Sequence, residues 1–527
     1  MAEQKTILKE LLDEGLALYN DKKYTDAIKI YKTAFVMIKN LDKYELGTLY
    51  IRLGNTYYQL NDIDKYVYYY EKYLKEFPQG QTVIFSRLGH AYYFIDCDKS
   101  VDYYNKALNA DGGIRESACK LFSMIKSSSY NQQDIKDEAE FETARIKYKF
   151  FKNIKKYNHD DKKILKDKKL NIAYLTSDGH NHTMMHYMMP LWKNHDKDKF
   201  NFFIFNSSVK EDFIKTEINN LGFEVINSSQ LNSEQLAEQI YNSKIDILID
   251  LDGYTHLQSY CSLFKPAPII ISYLGYLNTL GMKEVDYILT DRYTIPEDNT
   301  CLYTEKPLYL DEGYCIFNYY NFSKIQENPF IRNGYITFGS FNCPSKINDT
   351  MIYMWCQILK KVENSKIFIY RTRLNKTVIK NLKSKFTKWG IDEDRVIFSN
   401  IVTKNYSDIY SIADISLDTY PFSGMSITIE TALSGIPTIT LTGEGMQSRG
   451  AGKINNISGN SDLNAVSGEE YIEIAINLAN NKERLIEIRK NLREILKNSS
   501  LMNNHKSFTE NLECKFQKVW ETFVHST

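Results

Sequence analysis

The feature that most restricts the fold is an alternation of short apolar runs and helix-period segments that begins at Leu170 and is played through twice. Apolar runs occupy residues 170–175, 200–205, 245–250, 269–273 and 287–290, with helical segments such as 232–241 between several of them. The pattern restarts at 335–338 and continues at 365–370, 395–398, 415–417 and 438–441, with helices expected at 350–362 and 406–413. Runs of this length are buried strands, and strands separated by helices return parallel because a parallel crossover needs a helix's worth of chain. Two such α/β units in tandem leave a cleft between them. Ligands of open parallel sheets bind beyond the carboxyl ends of the strands, so the chemistry is expected in loops that follow strands. Residues 467–523 read as long helices that pack back on this body.

The first quarter repeats. Leu11, Gly15, Tyr24, Ala27, Tyr31 and Ala34 are echoed by Leu53, Gly54, Tyr57, Tyr70, Tyr73 and Pro78, then by Leu88, Gly89, Tyr92, Tyr104 and Ala107. Gly54 and Gly89 stand 35 residues apart, close to the tetratricopeptide (TPR) period. The small residues let paired helices approach, and the aromatic ones fill the groove between pairs. Three helix-pair repeats are therefore expected over residues 6–110; a plain helical bundle is the alternative. Such an array offers a groove for a protein partner and implies no chemistry. The expected organisation is repeats at 1–110, a helical linker at 111–168, a first α/β domain at 169–325, and a second with C-terminal helices at 326–527.

Composition removes several classes. Lys plus Arg and Asp plus Glu are both 66, which argues against a general nucleic-acid binder. No apolar run is long enough for a transmembrane helix. The opening Met1-Ala2-Glu3-Gln4-Lys5 has no apolar leader, and the eight cysteines form no C-x-x-C pair. They read as reduced thiols, and the expected location is the cytoplasm.

Four loops follow strands and carry candidate chemistry. The first holds Ser177, Asp178, His180, Asn181 and His182, with His186 beyond; His182 is a candidate general base. Three histidines also raise zinc, but no cysteine or glutamate neighbour completes a site, and no metal is expected. The second holds Asp250, Asp252, Gly253, Tyr254, Thr255 and His256. Two acids at the end of a buried strand are costly unless used or paired. The third holds Asn342 and Lys346, a compact charge suited to a diphosphate. The fourth runs through Gly424, Met425, Ser426, Ile427 and Thr428 into a helix carrying Glu430. Hydroxyls and free N–H groups at a helix N-terminus make a phosphate seat, and Glu430 suits ribose hydroxyls.

Several separate stretches, in order, resemble one family: the TPR-containing protein O-GlcNAc transferases with their bacterial and SPINDLY relatives. The resemblance covers residues 169 to about 465. It rests on Ser177-Asp178 with Asn181, His182 and His186, on Gly253-Tyr254-Thr255, and on Phe264-Lys265-Pro266-Ala267-Pro268. It continues through Gly275-Tyr276, Asp286-Tyr287-Ile288 with Asp291, Phe338 to Asn342 with Lys346-Ile347, the stretch 417–437, and Gly443-Glu444 with Ser448-Arg449. It implies a GT-B fold of two Rossmann-like domains behind the repeats, no cofactor or required metal, and an inverting transfer from a nucleotide sugar to a protein Ser or Thr hydroxyl.

The resemblance assigns Lys346 to the donor diphosphate, His182 to the loop histidine, Ser426 to the phosphate seat and Glu430 to the ribose. His182, Asp250 and Asp252 remain candidates for the base. The donor-side set implied is Asn342, Lys346, Tyr406, Gly424, Met425, Ser426, Ile427, Thr428 and Glu430; the acceptor-side set is Asp178, Asp250, Tyr254, Thr255 and His256. Tyr406 and Met425 stand where human-type relatives carry histidines. UDP-N-acetylglucosamine is the expected donor, with GDP-fucose or a UDP-hexose as alternatives, and a silent TPR scaffold as the alternative of another class. The partner expected in the TPR groove is the acceptor protein, bacterial flagellin or another surface protein among the possibilities.

Overall fold

The computed structural model describes residues 2–37, 43–152, 154–164, 168–318, 322–372, 374–403 and 406–526; for 2–5, 37, 163, 164 and 406 the backbone alone is described. The chain divides into two compact units, Met1–Lys120 with Lys376–Lys380, and Leu121–Asn375 with Asn381–Thr527.

The first unit is built of helix pairs: α1 (Ala2–Asn20) with α2 (Tyr24–Met37), α3 (Lys43–Gln59) with α4 (Ile63–Glu76), and α5 (Thr82–Tyr92) with α6 (Cys97–Asn109). They fall where the repeat pattern placed them. In each pair a glycine of the first helix faces a tyrosine of the second. A Cβ added at Gly15, Gly54 or Gly89 would lie 2.3, 2.4 or 2.9 Å from the ring of Tyr31, Tyr70 or Tyr104. The glycine thus sets the spacing and the tyrosine fills it. Tyr70 is fully buried and has nowhere to retreat. Gly54→Ala is expected to destabilise this unit by about 1–3 kcal/mol through overpacking, read as a lowered urea midpoint.

The second unit opens with the end of α7 (Ile114–Met124) and with α8 (Gln132–Phe150), whose N-terminus Asn131 closes in a reciprocal capping box with Asp134. Two parallel sheets follow. The first contains β1 (Leu170–Thr176), β2 (Phe200–Asn206), β3 (Glu224–Asn227), β4 (Ile247–Asp250), β5 (Ile269–Ser272), β6 (Tyr287–Thr290) and β7 (Lys306–Tyr309), in the order β3-β2-β1-β4-β5-β6-β7. The second contains β8 (Thr337–Ser340), β9 (Lys366–Tyr370), β10 (Val396–Ser399), β11 (Ile415–Leu417), β12 (Thr438–Leu441) and β13 (Asn464–Ala465), in the order β10-β9-β8-β11-β12-β13. The central strands β4, β5, β8 and β12 are buried on both faces, as all-parallel sheets require. The result is the α plus α/β architecture expected: helices, then two Rossmann-like lobes of GT-B type.

Every strand expected from the sequence forms. Three more do not announce themselves: β3 and β7 lie at the edges of the first sheet, β3 half polar and β7 carrying Pro307, while β13 is two residues long. Edge strands lack the continuous apolar run that marks a central one.

The last helices fold back as expected. His505–His525 lies on α9 (Thr183–Asn194), and its Glu513 carboxylate sits 2.8 Å from His195 Nδ1, whose Nε2 is 2.7 Å from Tyr174 OH on β1. Within this unit α8 is bolted to the first lobe by Lys147 on Glu284 (2.8 Å) and Thr143 Oγ1 3.2 Å from Tyr254 OH. A buried chain of amides also joins three segments. Gln132 of α8 donates to Asn278 of the first lobe (2.8 Å), and Asn278 donates to Gln447 of the second (3.0 Å). The Gln447 backbone carbonyl accepts from Ser423 N at 2.9 Å.

Candidate active site

The carboxyl ends of both sheets face one cleft of about 610 Å³. From the first lobe it is lined by His182, Thr183, Met184, Tyr187, Leu274, Gly275 and Leu277. From the second come Cys343, Lys346, Arg371, Tyr410, Phe422 and the run Ser423 to Ile427, with Glu430 beyond.

The floor of the second lobe is shaped by a residue the sequence reading passed over. Asp418, at the end of β11, is buried, and its Oδ1 accepts from Gly424 N (2.8 Å) and Asn342 Nδ2 (3.0 Å), its Oδ2 from Thr440 Oγ1 (2.7 Å). That carboxylate folds the turn before the helix Met425–Leu433. Gly424 is required there because a Cβ would lie 2.3 Å from Asn342 Oδ1. No side chain caps the helix, so the backbone N–H groups of its first turn are left for a ligand. Asn342 and Thr428 belong to the wall behind this turn; both are buried and neither lines the cleft.

Lys346 reaches the same place. Its Nζ donates to the Ser423 carbonyl at 2.9 Å and lies 4.1 Å from the centre of the Phe422 ring. Burial lowers its pKa to about 8; the charges of Asp418 and Cys343 resist that fall and Arg371 adds to it. Glu430 accepts from Tyr410 OH. Burial pushes its carboxyl up, held back by the Tyr410 hydrogen bond and by the charge of Arg371. Arg371 directly follows β9 and donates to the Phe341 carbonyl at 3.2 Å. The rule applied to the other loops, residues at the carboxyl end of a strand, would have found it. The Tyr406 side chain lies outside the described residues; its backbone opens the helix Tyr406–Tyr410.

The opposite wall is backed by a cluster of Asp and His side chains. His182 is the N-cap of α9, and its Nδ1 lies 3.2 Å from Asp178 Oδ2. The other Asp178 oxygen is 3.5 Å from His256 Nε2. Behind them Asp252 accepts from Ser177 N (2.9 Å) and Ser177 Oγ (2.6 Å). A carboxylate only accepts, so a hydrogen bond to Asp178 requires the His182 tautomer with its proton on Nδ1 and a bare Nε2. In the other tautomer Nδ1 accepts from the Met184 N–H at 3.4 Å, the bond that caps the helix. Partial burial and the neighbouring His256 lower the His182 pKa, against the pull of Asp178, so the ring is neutral at pH 7. Burial also works against charge on His256, but its bond to Asp178 and the charge of Asp252 win, and its pKa rises.

The other acceptor-side candidates have supporting places. Asp250 Oδ1 accepts from Asp252 N (2.9 Å), Gly253 N (3.1 Å) and Ser259 Oγ (2.8 Å), which folds the loop. Tyr254 is buried with its hydroxyl on the Leu280 carbonyl, and Thr255 Oγ1 donates to the Asp252 carbonyl at 2.6 Å. Neither Asp250 nor Asp252 lines the cleft. Among the described residues Asp178, Asp252 and His256 are the group whose ligand atoms come within 4.8 Å of one another, close enough to hold a metal ion. Asp252 is already bonded to Ser177, and Asp178 already faces two histidines, a donor set arranged as an ion-pair network.

The family model for glycosyl transferase family 41 matches residues 144–332 and 326–512. The chain is 26% identical over 435 residues to a rice protein (Oryza sativa subsp. japonica) described as "Probable UDP-N-acetylglucosamine--peptide N-acetylglucosaminyltransferase SPINDLY", covering 80% of this chain and 46% of that one. It is 29% identical over 366 residues to the Arabidopsis thaliana protein described in the same words as SEC, covering 67% of this chain and 37% of that one. The chain thus spans less than half the length of these curated relatives. A solved structure of a Thermobaculum terrenum O-GlcNAc transferase mutant superposes with a TM-score of 0.81 at 20% identity, over 99% of this chain and 98% of that one, a likeness of fold. No helix among the described residues is long and apolar enough to cross a membrane.

Proposed function

The chain belongs to glycosyl transferase family 41, and from that membership and the cleft we propose that it transfers a sugar, with inversion and without a required metal, from a nucleoside-diphosphate sugar to a hydroxyl of a protein. The observation that carries this reading is one cleft holding a half-buried lysine and an uncapped helix N-terminus on one wall, with an Asp-backed neutral histidine on the other.

In the transfer, the acceptor oxygen attacks the anomeric carbon as the bond from that carbon to the diphosphate breaks. The acceptor's proton passes to His182 Nε2, and Asp178 stabilises the imidazolium formed. Negative charge gathers on the leaving diphosphate, where Lys346 and the N–H groups at Ser426 and Ile427 stand. Asp252 serves by holding Ser177 beside Asp178, and Glu430 with Tyr410 receives the ribose. UDP-N-acetylglucosamine is the donor proposed, a Ser or Thr hydroxyl the acceptor, the helix pairs of the first unit the acceptor's dock, and the cytoplasm the compartment.

A panel of UDP-N-acetylglucosamine, UDP-glucose and GDP-fucose tests the donor by slow hydrolysis and by transfer, with Lys346→Ala as control. Turnover of the first donor, lost in the variant, is expected. Turnover of GDP-fucose alone would replace the donor, and no turnover or binding of any of the three would leave a scaffold.

A further inference from the structure

Tyr187 is a cleft residue that the transfer step leaves unused. It lies on α9, on the first lobe, buried, with its ring edge-on to Phe317 at 4.8 Å. Its phenol oxygen is 2.7 Å from Ser426 Oγ on the other lobe, and both residues line the cleft. Tyr314, also of the first lobe, reaches the neighbouring Met425 Sδ at 3.1 Å. The first two residues of the helix Met425–Leu433 are therefore held from across the cleft.

An anion gives this contact a direction. Oxygens of a fully ionised diphosphate only accept, so the single Ser426 proton goes to one of them, and Ser426 Oγ must then accept from its other neighbour. Tyr187 keeps its proton for that bond, because burial raises the phenol well above its ordinary pKa. We propose that Tyr187 is a donor-positioning residue: it donates to Ser426 Oγ across the cleft and so aims the Ser426 hydroxyl at the donor's diphosphate. The phosphate site is then completed by the lobe that carries the acceptor side, and the donor is gripped when the two lobes stand at this spacing. The inference rests on the donor reading above and adds to it a residue from the opposite lobe.

The test is a double-mutant cycle on the full chain, with UDP and GDP as probes in titration calorimetry and with KM and kcat for the turned-over donor. Tyr187→Phe keeps the ring against Phe317 and removes only the hydroxyl. It is expected to weaken binding of the preferred nucleotide about three- to tenfold and to raise donor KM by a similar factor with kcat little changed. Ser426→Ala should weaken binding at least as much, and the double variant no further than Ser426→Ala alone. If Tyr187→Phe binds as tightly as the parent, even with a lowered melting temperature, or if the two losses multiply, the proposal is overturned while loss of binding in Lys346→Ala keeps the donor reading. If Lys346→Ala also binds like the parent, or if neither nucleotide binds, the donor reading falls and this inference falls with it.

Discussion

Lys346→Ala is expected to lower kcat by about 10²–10³, the range seen when one preorganised group is removed from a site of developing charge. The effect should be large because the lysine is set in place before any ligand arrives: Nζ is anchored on the Ser423 carbonyl and laid over Phe422. Its pKa of about 8 makes the same residue visible by pH. The protonated form is the useful one, so kcat/KM should fall as pH rises through about 8 in the free enzyme. A bound diphosphate favours the cation and raises that pKa. UDP binding should therefore take up a proton near pH 8, measured by calorimetry in buffers of different ionisation heat, and Lys346→Ala should abolish the uptake. The stability sign is opposite to that of a salt bridge. Between the folded pKa and the ordinary 10.5 the unfolded chain binds the extra proton, so stability gains with pH across that window and the charged lysine is a burden below it. Lys346→Ala should then melt no lower than the parent at pH 7. An inactive variant that melts lower would point to lost packing instead.

Asp178→Asn is expected to cost between about 10² and 10⁴ in kcat while UDP affinity stays at the parent value. The asparagine amide can donate to His182 Nδ1, which moves the imidazole proton to Nε2 and removes the base. His182→Ala should cost as much, and the double variant little more than either, because the two act as one unit. With the parent, kcat/KM should fall as pH drops through a histidine pKa below the usual 6.5, since the neutral ring is the active form. A full-rate Asp178→Asn enzyme, or one whose loss is entirely in donor affinity, would remove His182 from the role of base.

The fold was legible because its signals are local and periodic. The spacing of Gly54 and Gly89 and the buried central strands each carry their pattern in consecutive residues. The edge strands did not, since half of their surface faces water. The site divides in the same way. Lys346, His182 and Ser426 follow strands or open helices, Glu430 stands one turn into the helix that Ser426 opens, and all four line the cleft. Asn342, Thr428, Asp250 and Tyr254 come from the same loops but point into the protein, and a loop's sequence does not say which side chain faces out. Asp418 shows the converse: its place after β11 marks it as a loop acid, but its burial and its three donors are seen only with the turn it folds. Tyr187 lies inside a helix and meets Ser426 more than two hundred residues later, a relation with no local trace.

The joint of Gln132, Asn278 and Gln447 has a practical consequence. Its members carry no charge and no titrating proton, and they are shut away from water. Dissolved ions weaken attraction between exposed charges and leave neutral buried amides alone. The spacing of the lobes at this joint should therefore hold from dilute buffer to molar sodium chloride. A salt series on nucleotide affinity then reads the electrostatics of the diphosphate against a joint that salt leaves unchanged.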